Sequence, residues 1–198
     1  MDDHIKQSAQ AAALRDFFIA ENAAGLESAY LKMQEVSGTG LPGVKSRQEL
    51  EYAFNRLFVG PKALEAPPFA SVYLENEPMV MGPTTMMVRS IYEMFGLASS
   101  YKNNLPDDHL SFELDAALAM RMASRKAASP ELARLRSFFV GRHMKTWVPA
   151  FAERASLAES AHPAITAAAK FACRWVEREA ASIGDAHESF SEEGGHNE

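Results

Sequence analysis

Between Ser46 and Val59 the apolar residues fall at Leu50, Ala53, Phe54, Leu57 and Phe58, the i, i+3, i+4, i+7, i+8 series that gathers them on one face of a helix. This spacing, rather than the alternation of a strand, recurs along nearly the whole chain and restricts the fold to packed helices. Leu110, Leu114, Ala117, Leu118, Arg121 and Met122 make a second stripe, and Ile165, Ala169, Ala172, Val176 and Ala180 make a third. About one residue in six is alanine, the strongest helix former.

Start and stop signals bracket these stripes. Ser46 followed by Glu49 is a capping box, and Gly60-Pro61 ends the helix it opens. Pro106-Asp107-Asp108 reads as the start of the next stripe, its acids suited to the positive end of a helix dipole. Ser129 with Pro130 at the first helical position is another start. Pro149 should break or restart the helix carrying Phe138, Phe139 and His143. Earlier helices are expected over about residues 3–22 and 25–36, and a last one from Pro163 to about Ser182. Ser71-Val72-Tyr73-Leu74 is the one β-like run, and the neighbouring Pro67, Pro68 and Pro78 make it extended loop instead. The expected architecture is therefore all-α, a single-domain helical bundle of seven to eight helices over residues 1–183, followed by an acidic, disordered tail over residues 184–198.

Two connections stand out. Residues 60–83 make a long link for a compact domain, which marks it as a functional segment. Residues 97–106 make a polar one that contains Asn103-Asn104. The tail carries Asp185, Glu188, Glu192, Glu193 and Glu198 without a lysine or arginine, so most of the net charge of -6 is local and the body is nearly neutral. Such a balance argues against a protein built to grip phosphate backbones. Arg134 and Arg136 alternate with apolar residues as on a solvated face, so no basic recognition helix is present. One cysteine, Cys173, suits a reducing compartment. The absence of a long uncharged apolar run, and an opening of Met1-Asp2-Asp3-His4 in place of an apolar leader, imply a cytoplasmic protein.

Chemistry is sparse. No two of the six histidines are four apart, and a single cysteine leaves too few ligands for structural zinc, so neither a metal nor another cofactor is expected. Cys173 between Ala172 and Arg174 reads as an inert helical thiol. Val59-Gly60-Pro61-Lys62 lacks the second glycine and the hydroxyl of a phosphate loop. Two constellations remain. Asp107, Asp108, His109 and Glu113 either cap a helix, with His109 and Glu113 as an i, i+4 pair, or form an acidic spot that accepts guanidinium forks. Met79, Met81, Met86, Met87 and Met94 either fill an irregular core, the simpler reading, or line a surface for varied apolar peptides. Trp147, four residues after His143, stacks on its imidazole or packs inward.

Read in order, Phe54-x-x-Leu57-Phe58-Val59-Gly60-Pro61, Ala66-Pro67-Pro68-Phe69-x-Ser71-Val72-Tyr73-Leu74, Val88-Arg89-x3-Tyr92, Leu105-Pro106-Asp107-Asp108-His109-Leu110 and Phe139-x3-His143-x3-Trp147-x-Pro149 resemble the TorD/DmsD/NarJ family of redox-enzyme maturation chaperones. The resemblance spans about residues 50–151. It implies a cytoplasmic, non-enzymatic chaperone. Such a protein binds the apo catalytic subunit of a molybdopterin oxidoreductase, often by its twin-arginine signal peptide, and holds it for cofactor insertion before export. It also implies peptide binding at Phe54, Leu57, Phe58, Tyr73, Asp107, Asp108, His109 and Glu113, no cofactor of its own, and a monomer or helix-swapped homodimer. The alternative is a helical ligand- or nucleotide-binding regulatory protein.

Overall fold

In the computed structural model the chain is described over residues 3–61, 63–77, 81–97, 105–126 and 129–193. The helices are α1 (Asp3–Phe18), α2 (Ala23–Ser37), α3 (Arg47–Phe54), α4 (Ser71–Leu74), α5 (Pro83–Met94), α6 (Leu110–Lys126), α7 (Pro130–Phe138), α8 (Lys145–Leu157) and α9 (Pro163–Glu193). A π-helical turn, Asn55–Val59, prolongs α3, and a second, Phe139–Met144, welds α7 and α8 into one rod. The described residues thus form eight helical rods and contain no strand; a lone bridge joins Phe69 to His109.

The two expected serine caps are in place. Ser46 Oγ accepts from the Glu49 N–H at 3.2 Å, and Ser129 Oγ accepts from the Leu132 N–H at 3.4 Å. Each satisfies a backbone donor that the first turn leaves without an intrahelical partner. Asn22 does the same for α2 through the Gly25 N–H, and Gly38 ends that helix with φ 70°, a left-handed conformation that costs glycine least. Helix α8 packs along α9, while α1 packs on α2 and α6. Where they meet, Phe17, Phe18, Phe54, Phe58 and Phe151 interlock at centroid separations of 5.1–5.8 Å, mostly edge to face. Burying each such ring stabilises the fold by about 1.5–3 kcal/mol gross.

Several expectations need correction. Ser71–Leu74 is a helical turn, not an extended loop, and it starts where the Ser71 N–H finds a side-chain acceptor in Asp108. Pro149 lies inside α8 without breaking it. Its i−4 residue is Lys145, where the rod passes from π to α geometry, so the widened turn absorbs the lost hydrogen bond. Met122 is exposed, whereas Arg121 from the same expected stripe is buried because the Glu179 carboxylate on α9 pairs with it. Arg136 reaches that carboxylate too, so it is not on a solvated face. The acidic stretch expected to be disordered from Gly184 instead continues α9 to Glu193. A single glycine costs a helix about 1 kcal/mol and does not stop it, and the adjacent Gly194-Gly195 comes later. Residues 194–198, Met79, Lys62 and the Asn103-Asn104 segment lie outside the described residues.

Candidate functional site

The long connection between α3 and α5 is tied to the turn that precedes α6. The Ala70 N–H donates to the Asp108 carbonyl at 3.0 Å and the Leu110 N–H to the Pro68 carbonyl at 2.9 Å, around the Phe69–His109 bridge. This strapping brings three acids of the Pro-Asp-His region against α4, α5 and the α7–α8 rod.

Each acid takes different partners, and neither aspartate caps α6. Asp108 is fully buried; one oxygen accepts from the Ser71 N–H at 2.8 Å and the other from Thr85 Oγ1 at 3.0 Å. Glu113, also fully buried, accepts from Trp147 Nε1 at 2.9 Å and meets His143 Nε2 at 2.7 Å. The expected His109–Glu113 pair is therefore not formed. Burial pushes the Glu113 carboxyl above its ordinary range, while the bonded His143 and Trp147 oppose the rise. Burial drives His143 down, but the Glu113 carboxylate outweighs it and leaves the imidazole above its usual value. His143 stacks on Phe139, not on Trp147, whose indole lies against Tyr73 at 5.8 Å.

His109 is buried between Phe69 and Phe112. Its Nδ1 accepts from the Ser111 N–H at 3.2 Å and lies 2.7 Å from Ser111 Oγ. Desolvation lowers its pKa to about 4, so the ring is neutral at ordinary pH. Asp107 lies nearest the surface of the three acids, its side chain 7% exposed against 29% for its partner Arg89. Arg89 Nε stands 2.7 Å and Nη2 2.6 Å from the same oxygen, Oδ2. The Tyr92 hydroxyl donates to the Asp107 carbonyl at 3.0 Å.

Thr85, Arg89 and Tyr92 thus stand at i, i+4, i+7 on α5 and together hold residues 107–108. Sequence reasoning noted Val88-Arg89-x3-Tyr92 without assigning these contacts; the helical spacing of three polar side chains on an otherwise apolar face was the available signal. The described members of the methionine cluster divide. Met87 packs on the core, whereas Met81, Met86 and Met94 are exposed, so core filling does not account for the cluster. Met81 holds φ 60°, and its sulfur lies 3.7 Å from Arg89 Nη2.

Phe54, Leu57 and Phe58 sit in the core, each at most 6% exposed. Phe58 is linked to the acids through Phe151, which touches Tyr73 and Trp147. Tyr73 is half-buried, with its ring under Arg154 and its hydroxyl enclosed without a hydrogen bond among the described residues. Burial raises its pKa. Cys173 is half-buried beside Glu177, and desolvation lifts its thiol pKa, which suits an inert thiol. Among the described residues no three His, Cys, Asp or Glu side chains converge as a metal site, and no helix is long and apolar enough to cross a membrane.

A family model described as nitrate reductase delta subunit matches residues 8–153. The chaperone protein TorD of Vibrio cholerae is 29% identical over 135 residues, which cover 66% of this chain and 60% of that one. The Tat proofreading chaperone DmsD of Salmonella typhi is 30% identical over 106 residues, covering 54% and 48%. The chain thus spans about half the length of the curated relatives it matches. A crystal structure of a candidate redox enzyme maturation protein from Archaeoglobus fulgidus superposes with a TM-score of 0.57 over 89% of this chain and 94% of that one; at 19% identity this likeness is one of fold. The family match runs from within α1 to within α8 and takes in the whole Asp107–Glu113 region, so the chain belongs to the nitrate reductase delta subunit family, the TorD/DmsD/NarJ group of redox-enzyme maturation chaperones.

Proposed function

We propose that this protein is a cytoplasmic chaperone that binds the apo catalytic subunit of a molybdopterin oxidoreductase through its twin-arginine signal peptide and holds it for cofactor insertion before export. The observation that carries this reading is Asp107, an acid near the surface that already receives a guanidinium, beside the exposed thioethers of Met81 and Met86. A peptide with an arginine pair followed by an apolar stretch complements that combination of charge and soft apolar surface.

The sequence-expected residues take graded roles in this proposal. Asp107 makes the direct contact. Asp108, His109 and Glu113 hold the turn beneath it, and Tyr73 with Phe58 links the turn to the core. Phe54 and Leu57 support α3 from within. Apolar contact offset by the cost of ordering the peptide gives affinity of about micromolar strength, tight enough to hold a client and loose enough to release it.

Isothermal titration against signal peptides of the molybdoenzyme subunits from the same organism, each beside a twin-lysine control, tests the proposal. Micromolar binding of one peptide, weakened in the lysine control, is expected. Failure of every peptide to bind rejects signal-peptide recognition.

A further inference from the structure

We infer that Arg89 is a built-in stand-in for the client's arginine, and that an incoming guanidinium binds Asp107 by displacing it. The inference rests on the proposed peptide-binding role and adds how the site is kept closed.

Of the three acids, Asp108 and Glu113 have both carboxylate oxygens engaged and are fully buried, so neither has capacity for a new cation. Asp107 differs. Both Arg89 nitrogens converge on Oδ2, and no hydrogen bond reaches Oδ1 among the described residues. A guanidinium can place two parallel N–H groups on two carboxylate oxygens, and Arg89 does not use that geometry here. A ligand arginine that makes the full fork therefore gains over the internal one.

Displacement is sterically open. The Arg89 side chain is partly in solvent, one turn along α5 from the exposed Met86. Asp107 stays in position because Tyr92 holds its carbonyl. Met81, in a left-handed backbone conformation, lies against the outer nitrogen of Arg89. Exchange of one ion pair for another also leaves the acid compensated at the end of the step, so its desolvation is not incurred twice.

The test is titration of wild type, Arg89→Gln, Arg89→Lys, Asp107→Asn and the double variant R89Q/D107N with one synthetic leader peptide carrying an arginine pair and an apolar stretch. Arg89→Gln is expected to bind about tenfold tighter than wild type, and Arg89→Lys, which keeps the charge but loses the planar contact, to fall between them. The gain should vanish in R89Q/D107N compared with Asp107→Asn; a gain that persists there is a general charge effect and overturns the exchange. Binding by wild type that Arg89→Gln leaves equal or weaker also overturns it, while the proposed function stands. No binding by any variant rejects the peptide-binding reading itself. Should Arg89→Gln fail to fold, Arg89→Lys decides alone, tighter binding than wild type supporting the exchange and equal or weaker binding overturning it.

Discussion

His109 has a buried imidazole whose Nδ1 already accepts a backbone N–H from Ser111. Protonation would place a charge in a site stripped of water between Phe69 and Phe112, and this desolvation is why its pKa falls to about 4 from an ordinary 6.5. The unfolded chain takes up this proton near pH 6.5 and the folded chain does so near pH 4. Stability from this group is therefore complete above pH 6.5, declines as the pH falls, and is fully lost below about pH 4. The span corresponds to about 3 kcal/mol. His109→Asn, whose amide oxygen can accept from Ser111, should show a shallower loss of urea-unfolding free energy between pH 6.5 and 4 than wild type. Parallel pH profiles would mean that the imidazole does not carry the effect. The sequence singled out His109 but misassigned its partner, because an i, i+4 spacing to Glu113 says which groups can meet on a helix, not that His109 lies before the helix with its ring turned to Ser111.

Caps and apolar faces are properties of a few neighbouring residues, and at the scale of elements they were legible. Ser46 is the clearest case, since one hydroxyl sets the start of the helix that delivers Leu50, Phe54 and Leu57 to the core. Ser46→Ala should lower unfolding free energy by about 1 kcal/mol with an unchanged denaturant slope, since α3 remains packed. A loss within error would mean that water satisfies the Glu49 N–H as well as the hydroxyl does. The π turns at Asn55–Val59 and Phe139–Met144 were not legible. Each leaves the apolar spacing nearly intact, and their effect, such as letting Pro149 stay within α8, appears only once the rod is assembled. The partners of the acids were hidden for a related reason. Asp107 and Asp108 are adjacent and chemically identical, and the strap of residues 68–71 against the turn decides that one meets Arg89 and the other Ser71 and Thr85.

At the scale of the whole molecule, the fold closes through a helix that lies beyond the family match, which ends at residue 153. On α9, Ile165, Ala168, Ala169, Ala172, Trp175 and Val176 are all buried. Trp175 Nε1 donates to the Gln7 carbonyl at 2.9 Å and Arg178 to Gln10 Oε1 at 2.7 Å, which fastens α9 to α1. Further along, Glu179 binds Arg121 from α6 and Arg136 from α7, so one carboxylate joins three helices. Removing a single large core side chain costs about 3–5 kcal/mol, and the whole stability of a domain is about 5–15 kcal/mol. A chain truncated before Pro163 should therefore lack a cooperative thermal transition. Truncation after Ile183, the last core residue of α9 among the described side chains, should melt within a few degrees of the full chain, since the packing of α9 on α8 and α1 is kept. The same short truncation separates two roles for the acidic stretch. Unchanged affinity for the leader peptide marks it as an appendage. A gain that fades as salt rises marks it as a competitor of the cationic ligand, because attraction between exposed charges is screened within about 10 Å at 0.1 M salt.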